Sequence, residues 1–554
     1  MRWHRNRRSD ALATMLRILI ASTFVLAACA GPGAQPAAPA GLVHFPIRTS
    51  NPVAQRLFDD GLGWCYGFHH DEALRCFAAA AAADPGCAMA QWGLAYAHGP
   101  HINNMAMTEA AAQQAHAAAQ RARELAAGGP PFEQALIAAI GTRYAWPAPA
   151  ERKALDEAYA MAMRGVHAEF GANPDVAVLF AEALMDLRPW DLWTASGAPQ
   201  PGTGEITAVL EGVLAAHPSH PQACHLYIHA VEASRTPERA ITAAENLRAL
   251  PAAAGHLVHM PSHAFVRVGR YEEAAEANRR GIAADRRIVE RTRRTGFYEV
   301  YRAHNHHFLA YAAMFAGRQD EAIAAARALV AELPLEVAAA MPQFLEAFYG
   351  APYHALVRFG RWDDVLAEPE PPVWQKSTLA MRHYARGIAL AALGRQAEAE
   401  AAERAFAAAV AEVPEDWYHG NNPTRTVLAV GEVFLRGEVA FRAGDHERAF
   451  DALRTAVQRN DALRYDEPWG WMMPPRHGLG ALLLEAGRVA EAEQVYRDDL
   501  AVHPDNGWAL HGLAECERRA GRPAAAAATL ARFRSAWRTA TTTIAGSCFC
   551  RRGA

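Results

Sequence analysis

GRYEEAAEANRRGIAAD, residues 269–285, is the stretch whose reading decides the fold. Its form is a glycine, a short polar turn, an alanine at a fixed place and an alanine-rich continuation. That form returns as FHHDEALRCFAAAAAADP (68–85), GRQDEAIAAARALVAELP (317–334) and GRWDDVLAEP (360–369). Later copies are GRQAEAEAAERAFAAAVAEVP (394–414), GDHERAFDALRTAVQRN (444–460), GRVAEAEQVYRDDLAVHP (487–504) and GRPAAAAATLARF (521–533). Each follows a segment with small or apolar residues at matching spacing, and several close on proline. Recurrence of this kind is the signature of stacked supersecondary units that bury one another's apolar faces. Abundant alanine and sparse β-branched residues favour helix over strand.

The spacing carries a resemblance. In the first copy Gly61 falls at position 8 of a 34-residue unit, Ala73 at 20, Phe77 at 24, Ala80 at 27 and Pro85 at 32. In a late copy Gly480, Ala492, Tyr496 and Pro504 take positions 8, 20, 24 and 32. This resembles the tetratricopeptide repeat, a helix–turn–helix unit. The resemblance implies an all-α fold, a superhelical solenoid of antiparallel helix pairs over residues 51–535, with roughly eight or more pairs. Between 101 and 215 the pattern is incomplete, although 151–169 and 174–187 still read as helices. The phrases MAQWGLAYAHGPHIN (89–103), AEALMDLRPWDLW (181–193), HLYIHAVEAS (225–234), GHLVHMPSH (255–263) and the Cys548-Phe-Cys550 ending together resemble a family of bacterial lipoprotein-like tetratricopeptide-repeat proteins. That likeness speaks to fold more than to activity.

Histidines follow the same period. His225 and His229 are spaced i, i+4, and both recur 34 residues later as His259 and His263. An i, i+4 pair shares one helix face. Counted back from the alanines at position 20 (Ala240, Ala274, Ala322), His225, His259 and His307 take position 5. His229, His263 and Tyr311 take position 9, with His354 in the next copy. His256 and His304 take position 2 and Glu232 position 12. Positions 2, 5, 9 and 12 form a stripe about 80° wide; by the resemblance it lines a concave binding groove. Neutral imidazole is the commonest ligand for late transition metals. The set His225, His229, His256, His259, His263, His304, His307 and Glu232 is therefore expected to converge on zinc, copper, iron or manganese. Glu182 and Asp186, also i, i+4, are candidates to add oxygen ligands or to line the groove with Tyr311 and His354.

Two other readings stand beside the metal. The same stripe suits a peptide or protein partner held by hydrogen bonds, and buried histidines also serve as ordinary core. A metal-dependent enzyme acting at residues 225–307, with Glu232 as general base, is the alternative from a different class. No HExxH, GxSxG, Walker or dinucleotide motif occurs. Pro261 removes one helical N–H and disfavours helical angles at Met260. The helix carrying this pattern is expected either to kink there or to start at Pro261, leaving His256 and His259 in the entering loop.

The N-terminus looks like an address. Arg2, Arg5, Arg7, Arg8 and Arg17 precede the apolar run Ile18–Ala28, too short for a stable membrane span. Leu26-Ala27-Ala28-Cys29 resembles a bacterial lipobox, which implies a signal peptide over 1–29 and lipidation of Cys29. With Ala30 following, the implied destination is the outer membrane, facing the periplasm. Residues 30–50 read as a flexible tether. The formal net charge of −4 and scattered arginines give no footprint for nucleic acid. Seven cysteines remain beyond Cys29, an odd number with no disulfide framework in their spacing. Cys548 and Cys550 are suited to a soft metal or a redox pair, within a 536–554 tail expected to fray.

Overall fold

The computed structural model of the chain describes residues 41–251, 254–292 and 296–551. The expected signal segment, Cys29 and the tether before Gly41 lie outside the described residues. Among the described residues the regular structure is helical apart from one two-residue ladder and two isolated bridges; the ladder pairs Tyr418–His419 antiparallel with Asn422–Pro423. No described helix is long and apolar enough to cross a membrane.

The recurring phrases become the second helices of antiparallel pairs. Pro52–Tyr66 packs on His70–Ala83, Glu299–Phe315 on Gln319–Glu332, and Lys376–Ala392 on Gln396–Glu412. Thr424–Arg442 with His446–Asp461, Pro475–Glu485 with Val489–Val502, and Gly507–Arg519 with Pro523–Ala536 continue the series. Between the helices of a pair the chain must reverse in a few residues. The phrase-opening glycines Gly269, Gly317, Gly360, Gly394, Gly444, Gly487 and Gly521 all do so at positive φ, where a side chain is disfavoured.

Packing between pairs rests on a second use of glycine. A Cβ on Gly61 would lie 2.7 Å from the Phe77 ring, and one on Gly93 would lie 2.4 Å from it. Gly480 and Gly512 treat Tyr496 in the same way, at 2.5 and 2.2 Å. The aromatic at position 24 thus lies against bare backbone on its own partner helix and on the next one. Alanines fill the remaining close contacts, with Ala73, Ala80, Ala399, Ala449 and Ala492 fully buried.

The chain divides into two compact units, the first formed by residues up to Pro261 with Arg280–Tyr298, the second by Ser262–Arg279 with Glu299 onward. In the first, the stretch with the incomplete pattern is still helical: Glu109–Leu125, Pro131–Gly141, Lys153–Phe170, Pro174–Met185 and Thr203–Ala216. Side-chain caps from Asn51, Thr108 and Asn173 satisfy first-turn N–H groups, with Pro52 and Pro174 just inside their helices.

In the second unit the C-terminal tail is packed rather than frayed. Trp537 donates to the Phe315 carbonyl (3.0 Å), Thr541 N–H to the Gly317 carbonyl (3.0 Å), and Arg358 to the Ser547 carbonyl (2.8 Å). Arg358 also lies 3.4 Å over the Trp508 ring and donates to His477, whose Nε2 is 2.9 Å from Asp499. Lack of periodicity made this stretch look loose; its tryptophan, Phe549 and buried Cys550 are instead taken up by neighbouring helices.

Replacing Gly93 by Val is expected to lower stability by about 2–3 kcal/mol, because the Phe77 ring has no room to retreat. Gly165→Ala, within a helix and with nothing near the new methyl, is expected to raise it by about 0.5–1 kcal/mol. Urea unfolding of the two variants checks both signs.

Candidate metal centre

In the first unit His225 and His229 lie on one face of the Pro221–Val231 helix, with ring centroids 5.0 Å apart and both side chains buried. His256 joins them from the short helix Gly255–His259. One ring nitrogen from each of the three lies within 4.8 Å of the others. The Nε2 atoms of His225 and His256 are 3.2 Å apart, close to the roughly 3.3 Å that separates two nitrogens bound to one tetrahedral ion at about 2.05 Å each.

The opposite ring nitrogens are held in place. His225 Nδ1 is 2.8 Å from the Tyr66 carbonyl, which ends the Pro52–Tyr66 helix and can only accept. His229 Nδ1 is 2.7 Å from the Glu232 carboxylate. Each contact requires the proton on Nδ1, so a neutral ring presents its Nε2 lone pair to the cluster. Metal-binding histidines are ordinarily oriented by this kind of contact. Glu232 accordingly sits as the orienting partner of His229. His256 is positioned through its backbone: its N–H donates to the Tyr298 hydroxyl (3.0 Å), and the Gly255 N–H donates to Asp285 (3.0 Å). Gly67 lets this segment approach, since a Cβ there would meet Ala254 at 2.4 Å.

Two strained residues wall the cluster. Phe68 occupies the turn position that the later copies give to glycine, and it adopts φ 54°. Its ring lies 4.5 Å from His225 and 5.2 Å from His256, centroid to centroid. Trp190, at φ 57°, sets its ring edge-on to His229 at 5.2 Å. Each such backbone costs about 1–3 kcal/mol and persists where the surroundings impose it, most often at functional sites. Only three non-glycine residues among those described have positive φ, and two of them hold rings against these histidines.

The other first-unit candidates stand outside this group of three nitrogens. His259 places its ring 5.2 Å from that of His256. Met260 keeps helical angles (φ −50°, ψ −36°), so Pro261 separates two short helices rather than leaving His256 and His259 in a loop. Asp186 is paired with Arg143 at 2.6 Å, and Glu182 accepts from the Tyr96 hydroxyl. Burial pushes both carboxyls above the ordinary range, despite the lowering effect of Arg143. His101, not singled out from the sequence, lies with its ring 4.4 Å from that of Phe68 and tilted to it, and burial holds it well below the ordinary histidine value. Its only signal was its place in the AHGPHIN phrase.

In the second unit His263 contacts the Glu467 carboxylate, and its ring lies 5.8 Å from that of His304. His307 packs edge-on to Phe348 and 6.2 Å from His419. His354 packs against Trp471, and Tyr311 stacks on Trp469. His307, His354, His419, Ser377, Thr424 and Trp471 line a small cavity. Glu467 sits in an irregular segment and His419 in the two-residue ladder, where no helical period could have marked them.

Residues 479–535 match the tetratricopeptide repeat family. No curated protein matches the chain by sequence. Solved structures similar to it include the Cut9–Hcn1 hetero-tetramer of APC/C, at 13% identity over 90% of this chain and 76% of that one, TM-score 0.29. The human IFIT1 dimer with m7Gppp-AAAA is 12% identical over 82% of this chain and 90% of that one, TM-score 0.32. Naa15/Naa10 bound to HypK-THB is 13% identical over 89% and 69%, TM-score 0.24.

Burial lowers His354 to about 3 and His419 to about 4, and it holds His307 well below its ordinary value. The unfolded chain binds more protons at these sites between the folded values and about 6.5, so stability rises with pH there. The second unit is expected to melt progressively lower as pH falls from 6.5 towards 4. His354→Gln with His419→Gln should flatten that dependence in calorimetry across the range.

Proposed function

We propose that this chain is a helical-repeat binding scaffold of the bacterial cell envelope, and that its first unit holds one transition-metal ion on His225, His229 and His256. The observation that carries the reading is the convergence of three imidazole nitrogens within 4.8 Å, with the outer nitrogens of His225 and His229 already held by a carbonyl and a carboxylate. An all-imidazole donor set fits zinc or copper better than manganese, which prefers oxygen. Three protein ligands leave a tetrahedral ion one position for a donor from outside. On the scaffold reading that donor is a side chain of a bound peptide or protein. The enzyme reading would put water there; the engagement of Glu232 with His229 favours orientation of the ligand over general-base work. The lipobox-like Leu26–Cys29 supports attachment to the outer membrane through lipid on Cys29.

Protein purified without an affinity tag is expected to carry close to one zinc or copper per chain by elemental analysis. His225→Ala with His229→Ala should abolish it, and Glu232→Gln should weaken affinity about 10- to 100-fold. Added metal should raise the melting temperature of the wild type only. Absence of stoichiometric metal, together with a melt unmoved by zinc, copper, iron and manganese, would return these histidines to a peptide-binding or purely structural role. For the envelope assignment, Cys29→Ser is expected to abolish lipid labelling and release the protein from membranes; unchanged fractionation would count against it.

A further inference from the structure

The second unit contains a chemical arrangement apart from this metal reading. Cys548 and Cys550 form a disulfide within the packed tail. Cys550 is buried, while Cys548 is partly exposed. Glu438, on the Thr424–Arg442 helix, is 2% exposed, and its Oε1 has no hydrogen-bond partner among the described residues. A carboxylate oxygen of Glu438 lies within 4.8 Å of both sulfurs. A bridge between residues two apart ties down almost no chain, so cross-linking gives little reason for it. A buried carboxyl oxygen without a hydrogen bond is costly and calls for a role.

We propose that Cys548–Cys550 is a thiol–disulfide exchange centre reduced by an external dithiol, with Glu438 delivering the proton to the departing Cys550 sulfur. A thiolate of the reductant attacks Sγ of the accessible Cys548. The Cys548–Cys550 bond breaks, its electron pair leaves on Cys550, and that sulfur takes the Glu438 proton. The second thiolate of the reductant then attacks its own sulfur in the mixed disulfide, releasing Cys548, which is protonated from solvent as Glu438 is. The reductant leaves oxidised to a disulfide, having lost two electrons and two protons, and the protein has gained both.

Burial raises Glu438 to about 7, with Arg442 lowering it and Glu485 raising it. Around it, the Tyr384 hydroxyl comes from the Lys376–Ala392 helix, and Arg442 pairs with Glu485 at 2.8 Å while donating to the Cys550 carbonyl. Beside the tail, Arg551 is tied to Glu515 at 2.6 Å, and Glu515 also meets Arg519. The acid is therefore poised to give up a proton near neutrality.

The test follows reduction of the native full-length protein by dithiothreitol, quenched with iodoacetamide and read by mass as the gain of two alkyl groups. The rate constant per dithiothreitol thiolate should fall about tenfold from pH 6 to pH 8 in the wild type, as the protonated fraction of Glu438 falls. In Glu438→Gln it should be flat and, at pH 6, about tenfold lower. A flat profile in the wild type overturns the proposal whatever the variant does. So does a Glu438→Gln profile that superimposes on a sloping wild type.

Discussion

An aromatic ring pressed against bare backbone is the contact on which the stacking depends. Phe77 lies against Gly61 and Gly93, and Tyr496 against Gly480 and Gly512, at distances that exclude even a methyl group. Because the ring touches its own partner helix and the helix after it, one side chain sets both the spacing within a pair and the spacing to the next. Once that spacing is fixed, the faces of the first helices are fixed too. The histidines at repeat positions 2, 5 and 9 inherit their placement from it.

The turn between paired helices is the second constraint, and the candidate metal centre departs from it. Seven phrase-opening glycines take left-handed angles at little cost. At the corresponding place in the first copy stands Phe68, in the same angles, with its ring among His101, His225 and His256. Trp190 repeats the pattern beside His229. Of the three described non-glycine residues that take left-handed φ, two lie against one cluster. Such a breach of a rule obeyed elsewhere is what distinguishes a site from a core.

The repeat phrases made the helices and turns legible, since each glycine and alanine has a steric job that leaves few substitutes. The i, i+4 histidine pair was legible for the same reason: a helix face is a local property. What orients those rings was not. Tyr66 contributes a backbone carbonyl, which any residue carries, and Glu232 was read as a ligand or base although its carboxylate meets the Nδ1 of His229. Asp285 and Tyr298, which seat His256, come from a segment with no visible tie to it. The division of the chain at Pro261 was also hidden, because the repeat phrases run through it unbroken. Phe68 was visible as the non-glycine of the first phrase, but only its backbone angle gives that departure meaning.

The packed tail has a consequence for how the chain is made. Arg358 reaches a carbonyl 189 residues further on, and Trp508 and Trp537 close over carbonyls of Met314 and Phe315. These partners are made well after the residues they meet, so the helices around Arg358 emerge long before the groups that complete their burial. At 5–20 residues per second, roughly ten seconds or more separate the two. During that interval a guanidinium and several aromatic faces of the second unit stay uncovered, a natural hold for a chaperone. Closure of this unit therefore waits on these late residues rather than on the helices they cover.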